Sequence, residues 1–192
     1  VTPGEPLYGT DPYERLTQCV DDVLAHHADA AFCVITGDLA HLGELAAYRG
    51  LARQLARLPM PAFALLGNHD RRAPFHEAFP NALRDESGFV QAVLRRPEGD
   101  FVFLDTLDEG VDGGKYCDVR AAWLTARLDE AGDRPVFLFM HHPPFPIHIP
   151  CLDPISLAEP ERFARVVEGR RNIRHLFYGH VHRPVCGSWR GI

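Results

Sequence analysis

The chain has 192 residues, 46% of them hydrophobic, with a formal net charge of -6 and a pI near 6.0. That length and apolar content suffice for one core, and no composition break divides the sequence, so a single domain over residues 1–192 is expected. The acidic balance supplies no basic stripe for a nucleic-acid polymer, no apolar run approaches the roughly 20 residues that cross a bilayer, and five scattered cysteines without a CxxC pair argue against a disulfide framework, so a soluble, cytoplasmic protein is expected.

In chain order, residues 11–27 read as an amphipathic helix with Leu16, Cys19, Val20, Val23 and Leu24 on one face. The apolar run 31–36 has the length of a buried strand and stops at Gly37-Asp38. A second helix is predicted over 44–58, ended near Pro59 and Pro61, and a second strand over 62–66 stops at Gly67-Asn68-His69-Asp70. Residues 88–94 and 100–104 read as two strands joined by the turn Pro97-Glu98-Gly99, followed by a helix over 119–131 that buries Ala122, Leu124 and Leu128. The run 135–140 leads into His141-His142-Pro143-Pro144, a helix is predicted over 160–168, and the run 173–178 leads into Gly179-His180-Val181-His182. Residues 184–189 begin what reads as another strand. Strands alternating with helices, with one hairpin in the middle, predict layered sheets covered by helices.

The four polar clusters each follow an apolar strand, so they are expected at strand carboxyl ends, which can converge on one rim. Together they offer carboxylate, amide and imidazole donors, the donor set of a dinuclear metal site. Asp38 has two anionic oxygens and can bridge two cations; imidazole nitrogens suit zinc, iron, manganese or cobalt. Cysteine is absent from all four clusters, which argues against a thiolate site. Asn68 is a neutral carbonyl donor that completes a coordination sphere without adding charge. Taken singly, each cluster has a plainer reading: Gly-Asp as a turn, Gly-Asn-His-Asp as a turn with a solvated histidine, His-His-Pro-Pro as a strand end, Gly-His-Val-His as ordinary alternation. Their joint occurrence after four strands favours the metal site.

The order GD, GNHD, HHPP, GHVH resembles the calcineurin-like metallophosphoesterase superfamily. Within it, the run Gly4-Glu5-Pro6-Leu7-Tyr8-Gly9 and residues 140–146 are similar to bacterial class III phosphodiesterases, which hydrolyse cyclic nucleotides and glycerophosphodiesters. The resemblance implies an α/β fold, a four-layer α-β-β-α sandwich of two mixed sheets flanked by helices. It also implies two divalent ions drawn from iron, manganese, zinc and cobalt. Asp38 would bridge them, Asn68, His141 and His180 would bind one, and His182 the other. His69, oriented by Asp70, would be catalytic, and Asn68, His69, His142 and His148 would meet a small phosphodiester attacked by a metal-held hydroxide. A homo-oligomer is expected. The family's Asp-x-His pair would lie immediately before Val1, so the chain is expected to lack its first strand and its C-terminal portion. The alternative is an inactive binding scaffold with the same fold, like the metallophosphoesterase-fold subunit of the retromer coat.

Other histidines receive simpler expectations. His26, His27 and His76 fall on or beside helices and should be exposed, and His175 lies at a strand start. His41, three residues after Asp38, is within reach of the rim. His148 lies in the proline-rich loop 145–153, read as a specificity element, which also holds Cys151.

Overall fold

Two sheets face one another through phenylalanine. In the computed structural model, which describes residue 4 and residues 6–192, β1 (Cys33–Ile35) and β2 (Ala62–Ala64) pair in parallel, Cys33 opposite Ala62. The larger sheet has the order β3 (Ala92–Arg96), β4 (Gly99–Phe103), β5 (Val136–Met140), β6 (Ile173–Tyr178). Its first pair is antiparallel and the other two are parallel. Side chains alternate along a strand. Phe101 and Phe103 of β4 and Phe137 and Phe139 of β5 therefore share the face that packs against Val34, Phe63 and Leu65 of the smaller sheet. Phe63 stacks on Phe103 with ring centroids 4.9 Å apart, and Phe101 on Phe137 at 4.8 Å. The opposite face of the large sheet sends Val102, Val136, Leu138 and Met140 against Leu124 and Leu128 of α4 (Asp118–Ala131) and Phe163 and Val167 of α5 (Pro160–Val167).

On the far side of the small sheet lie α1 (Pro12–His26), α2 (Leu45–Leu55) and α3 (Arg72–Ala78). Ala47 and Tyr48 of α2 and Phe75 of α3 pack with Leu66 and Ala64 at the end of β2. The order of layers is helix, sheet, sheet, helix, as expected. Asp11 caps α1, its carboxylate accepting from the amides of Tyr13 and Glu14 at 2.8 and 3.3 Å.

Three elements differ from expectation, and Ala122, expected to be buried by α4, is exposed while Leu124 and Leu128 are buried. The strand predicted over 88–94 begins only at Ala92 and runs to Arg96. The amides of Phe89 and Val90 donate instead to the carboxylates of Asp85 and Asp105, at 2.9 Å each, and are spent before they can enter a ladder. The short helix α3 was not predicted; Pro74 in its first turn masks it, although proline is tolerated there. Residues 184–189 form no strand: Trp189 and Ile192 close a turn on each other through two backbone bonds of 3.1 and 2.9 Å, and the Trp189 ring stacks on Phe163.

Candidate metal centre

Parallel pairing puts the carboxyl ends of neighbouring strands side by side: Ile35 lies opposite Ala64, and Met140 opposite Tyr178. The residues just beyond these ends are Asp38, Asn68, His141 and His180, and they converge. His141 Nε2 lies 3.4 Å from Asp38 Oδ2 and 3.3 Å from Asn68 Oδ1. His180 Nδ1 lies 3.2 Å from Asn68 Oδ1 and 3.3 Å from His141 Nε2.

The approach is close because the turns are glycine. A Cβ on Gly37 would sit 2.5 Å from His141 Nδ1, one on Gly179 2.8 Å from the Thr36 carbonyl oxygen, and one on Gly67 would strike the Asp38 carboxylate. Asp38, His180 and His182 themselves adopt left-handed backbone, with φ of 56°, 67° and 53°. For non-glycine residues that conformation costs of order 1 kcal/mol or more each and concentrates where function demands an unusual side-chain direction.

The hydrogen-bond pattern leaves lone pairs facing inward. His141 Nδ1 is 2.6 Å from the carbonyl oxygen of Thr36, which can only accept, so the proton is on Nδ1 and neutral His141 presents a bare Nε2. That nitrogen meets the Asp38 carboxylate and the Asn68 amide, whose facing atom is assigned as oxygen. Acceptors gathered this way repel one another unless a cation joins them, and a metal-ligating imidazole usually anchors its other nitrogen on a carbonyl in this manner. Burial opposes ionisation of Asp38, but when no cation is present a proton shared with His141 through Nε2, and the amide of His69, outweigh it and hold the carboxyl at a pKa of about 2; a cation in the cleft takes the place of that proton and leaves His141 neutral. Burial, reinforced by neighbouring His141, pushes His180 down to about 4, keeping it neutral as a ligand must be. His180 Nε2 is buried without a partner. The residues present fit a cation.

The remaining candidates are distributed less simply. His69 is half-buried; its amide donates to Asp38 Oδ1 at 3.2 Å and its Nδ1 donates to the carbonyl oxygen of His41 at 2.8 Å. Asp70, expected to orient His69, does not touch that ring. It is fully buried, and its carboxylate accepts from the amides of Gly67 at 2.8 Å, Leu39 at 3.0 Å and Ala40 at 3.2 Å, and from the hydroxyl of Tyr48 at 3.0 Å. Burial raises its pKa. His182 is exposed and lines a cavity of about 470 Å³ together with Asp38, His41 and His69.

His142, expected to meet substrate, is fully buried; its Nδ1 is hydrogen-bonded to Thr106 Oγ1 at 2.8 Å, and its ring meets the α-carbon of Gly114, where a Cβ would come within 2.5 Å. Its donor atom nevertheless lies within 4.8 Å of those of His141 and His180. His148 is exposed and faces a different cavity, of about 640 Å³, with Phe145, Tyr178 and Trp189. Sequence reasoning missed Thr36, which acts through its main chain, and Thr106 and Tyr48, which support site residues from 36 and 22 positions away. Only Tyr48 carried a signal, as an aromatic residue within a predicted helix.

Residues 9–184 match the model of the calcineurin-like phosphoesterase family. The chain is 46% identical to a probable cyclic nucleotide phosphodiesterase of Rhodopseudomonas palustris, across 100% of this chain and 71% of that protein. It is 32% identical to the glycerophosphodiester phosphodiesterase GpdQ of Enterobacter lignolyticus, over 82% of this chain and 58% of the relative. It is 30% identical to the 3',5'-cyclic adenosine monophosphate phosphodiesterase CpdA of Escherichia coli, over 97% and 67%. Among solved structures, a dimetal phosphatase from Danio rerio shares the fold with a TM-score of 0.69 at 18% identity, covering 88% of this chain and 72% of that one. The motifs at the four strand ends fall inside the matched span, and the chain belongs to the calcineurin-like phosphoesterase family.

Proposed function

We propose that the protein hydrolyses a small phosphodiester, a cyclic nucleotide or a glycerophosphodiester, with two divalent ions held at this rim. The observation that carries the reading is the meeting of Asp38 Oδ2, Asn68 Oδ1, His141 Nε2 and His180 Nδ1 within 3.2 to 3.4 Å of one another's nearest partners. In this reading Asn68, His141 and His180 hold one ion, Asp38 both, and His182 the other, with manganese, iron, zinc or cobalt suiting the donors. Bound there, the ions neutralise charge on phosphoryl oxygens and make water acidic enough to supply a nucleophile near neutral pH.

The chain's own contribution is orientation and proton transfer. With Nδ1 committed to the His41 carbonyl, His69 presents Nε2 to the cavity, where the protonated ring donates to the phosphate or to the departing alkoxide. Asp70 sets the two loops that carry Asp38 and His69 rather than acting on substrate. The scaffold alternative is not favoured, because a site kept only for binding has no need of strained residues with acceptors turned toward one another. No helix among the described residues is long and apolar enough to cross a membrane, and the five cysteines are all unpaired, which supports placement in the reducing cytoplasm.

The test is a turnover panel. The protein loaded with manganese, zinc or cobalt is offered cyclic AMP, glycerophosphoethanolamine and a phosphomonoester. Turnover of a diester well above that of the monoester is expected; a fully metal-loaded protein inert on both diesters overturns the reading.

A further inference from the structure

The cavity of about 470 Å³ beside the rim has two unlike linings. Asp38, His69 and His182 bring polar groups to it, and Leu16, Ile35 and Leu51 are apolar residues of the helix and sheet layers behind them. The same wall carries two aromatic rings with no part in the chemistry above. The His41 ring stacks on His69, centroids 5.3 Å apart and planes 22° from parallel, and Tyr8 meets His41 edge-on at 6.1 Å and 84°.

Neither ring is explained by packing. Tyr8 is 90% exposed, yet it stands on a fixed turn: its backbone is left-handed at φ 51°, and Leu7 and Thr10 bond to each other on either side of it at 2.8 and 3.1 Å. The turn runs straight into α1 through the Asp11 cap, which also accepts from the amide of Gly4 at 2.9 Å. A bulky aromatic side chain is therefore held out into solvent from anchored backbone. His41 hydrogen-bonds His69 through its carbonyl oxygen, which any residue at that position supplies; its imidazole stacks on His69 and makes no hydrogen bond of its own among the described residues.

We propose that Tyr8 and His41 form the wall that receives a planar, unsaturated ring on the substrate, so that the site prefers a nucleotide to a phosphodiester of a saturated alcohol; this rests on the phosphodiesterase reading above. The two rings stand nearly perpendicular and make a corner. A nucleobase stacks its face on one ring and sets its edge against the other, the two geometries that aromatic pairs favour. A glycerol or ethanolamine group has no π face and gains nothing from the corner. Stacking of this kind is sequence-tolerant, so the wall selects for a base without choosing among bases.

The experiment measures kcat and KM on cyclic AMP and on glycerophosphoethanolamine for the metal-loaded protein and its Tyr8→Ala, Tyr8→Phe and His41→Ala variants. The ratio of kcat/KM between the two substrates is expected to fall about tenfold in each alanine variant, through KM, and to be kept in Tyr8→Phe. An unchanged ratio, or equal loss on both substrates, overturns the proposal. Calorimetric titration with AMP and with glycerol 3-phosphate decides it even if neither diester is turned over: a selective, about tenfold loss of AMP affinity in the alanine variants supports the wall, and parallel changes for both ligands refute it.

Discussion

His141 reaches from the end of β5 in the large sheet to donate its Nδ1 proton to the carbonyl oxygen of Thr36, at the end of β1 in the small sheet, at 2.6 Å. The bond spans 105 positions of sequence, fixes the tautomer of the most central donor, and ties together the two sheets whose ends build the site.

Asp38→Ala should strip both ions together, because in the proposed site one carboxylate would serve both. Metal analysis per chain checks this; a variant that keeps two ions rules out bridging. Gly67→Ala should behave the same way without touching a donor, since its Cβ would occupy the space of the Asp38 carboxylate.

Asn68 faces only His141 and His180. Asn68→Ala is expected to weaken one ion and spare the other, visible as the loss of one step in a two-step metal titration. Equal weakening of both would contradict the assignment.

His69→Ala should retain its metals and lose about 10² or more in turnover, as for removal of a general acid. The loss should shrink for nitrophenolate leaving groups, which need little protonation. A loss that ignores the leaving group would make His69 a phosphate positioner.

The metal-free protein should lose stability as pH falls below about 6.5. Burial, and after it the neighbouring His141 and His180, push His142 from 6.5 down to about 2. The unfolded chain then binds a proton that the folded state refuses, so stability drops from the unfolded value of 6.5 downward, by about 1.4 kcal/mol per pH unit for one such group. Urea unfolding of the apoprotein between pH 7 and 4.5 measures the slope, and His142→Gln should flatten it by about one proton. An unaltered slope would mean that His142 is not the neutral buried group.

Tyr48→Phe removes a buried hydroxyl that donates to Asp70 and accepts from the amide of Arg71 at 2.8 Å. Two buried groups lose a partner, and a stability loss of about 2 kcal/mol is expected in chemical denaturation. A loss near zero would show that Asp70 finds other donors.

Strand ends were the most legible part of the molecule. Each apolar run stops at a polar cluster, and β6 occupies the predicted residues 173–178. What escaped were matters of tertiary pairing. Phe89 and Val90 look like strand residues; a local turn on the Asp85 carboxylate takes the first amide and Asp105, just past the end of β4, takes the second. Within the site, alternation says that His141 and His142 point to opposite sides of the chain, but not which one faces the rim. His69 and Asp70 are neighbours in sequence and face different partners in space. The Thr36 carbonyl is invisible to any reading of side chains.

Asp70 has a consequence for how ions come and go. Its carboxylate gathers amides from both the 37–40 and the 67–70 loops, and Tyr48 fastens it to α2, so the two loops are laced to each other without help from a metal. A rim that keeps its shape this way releases and retakes cations at a rate set by ligand bonds, not by refolding. One apoprotein preparation can then be charged in turn with manganese, zinc or cobalt, and any difference in turnover among them belongs to the ion.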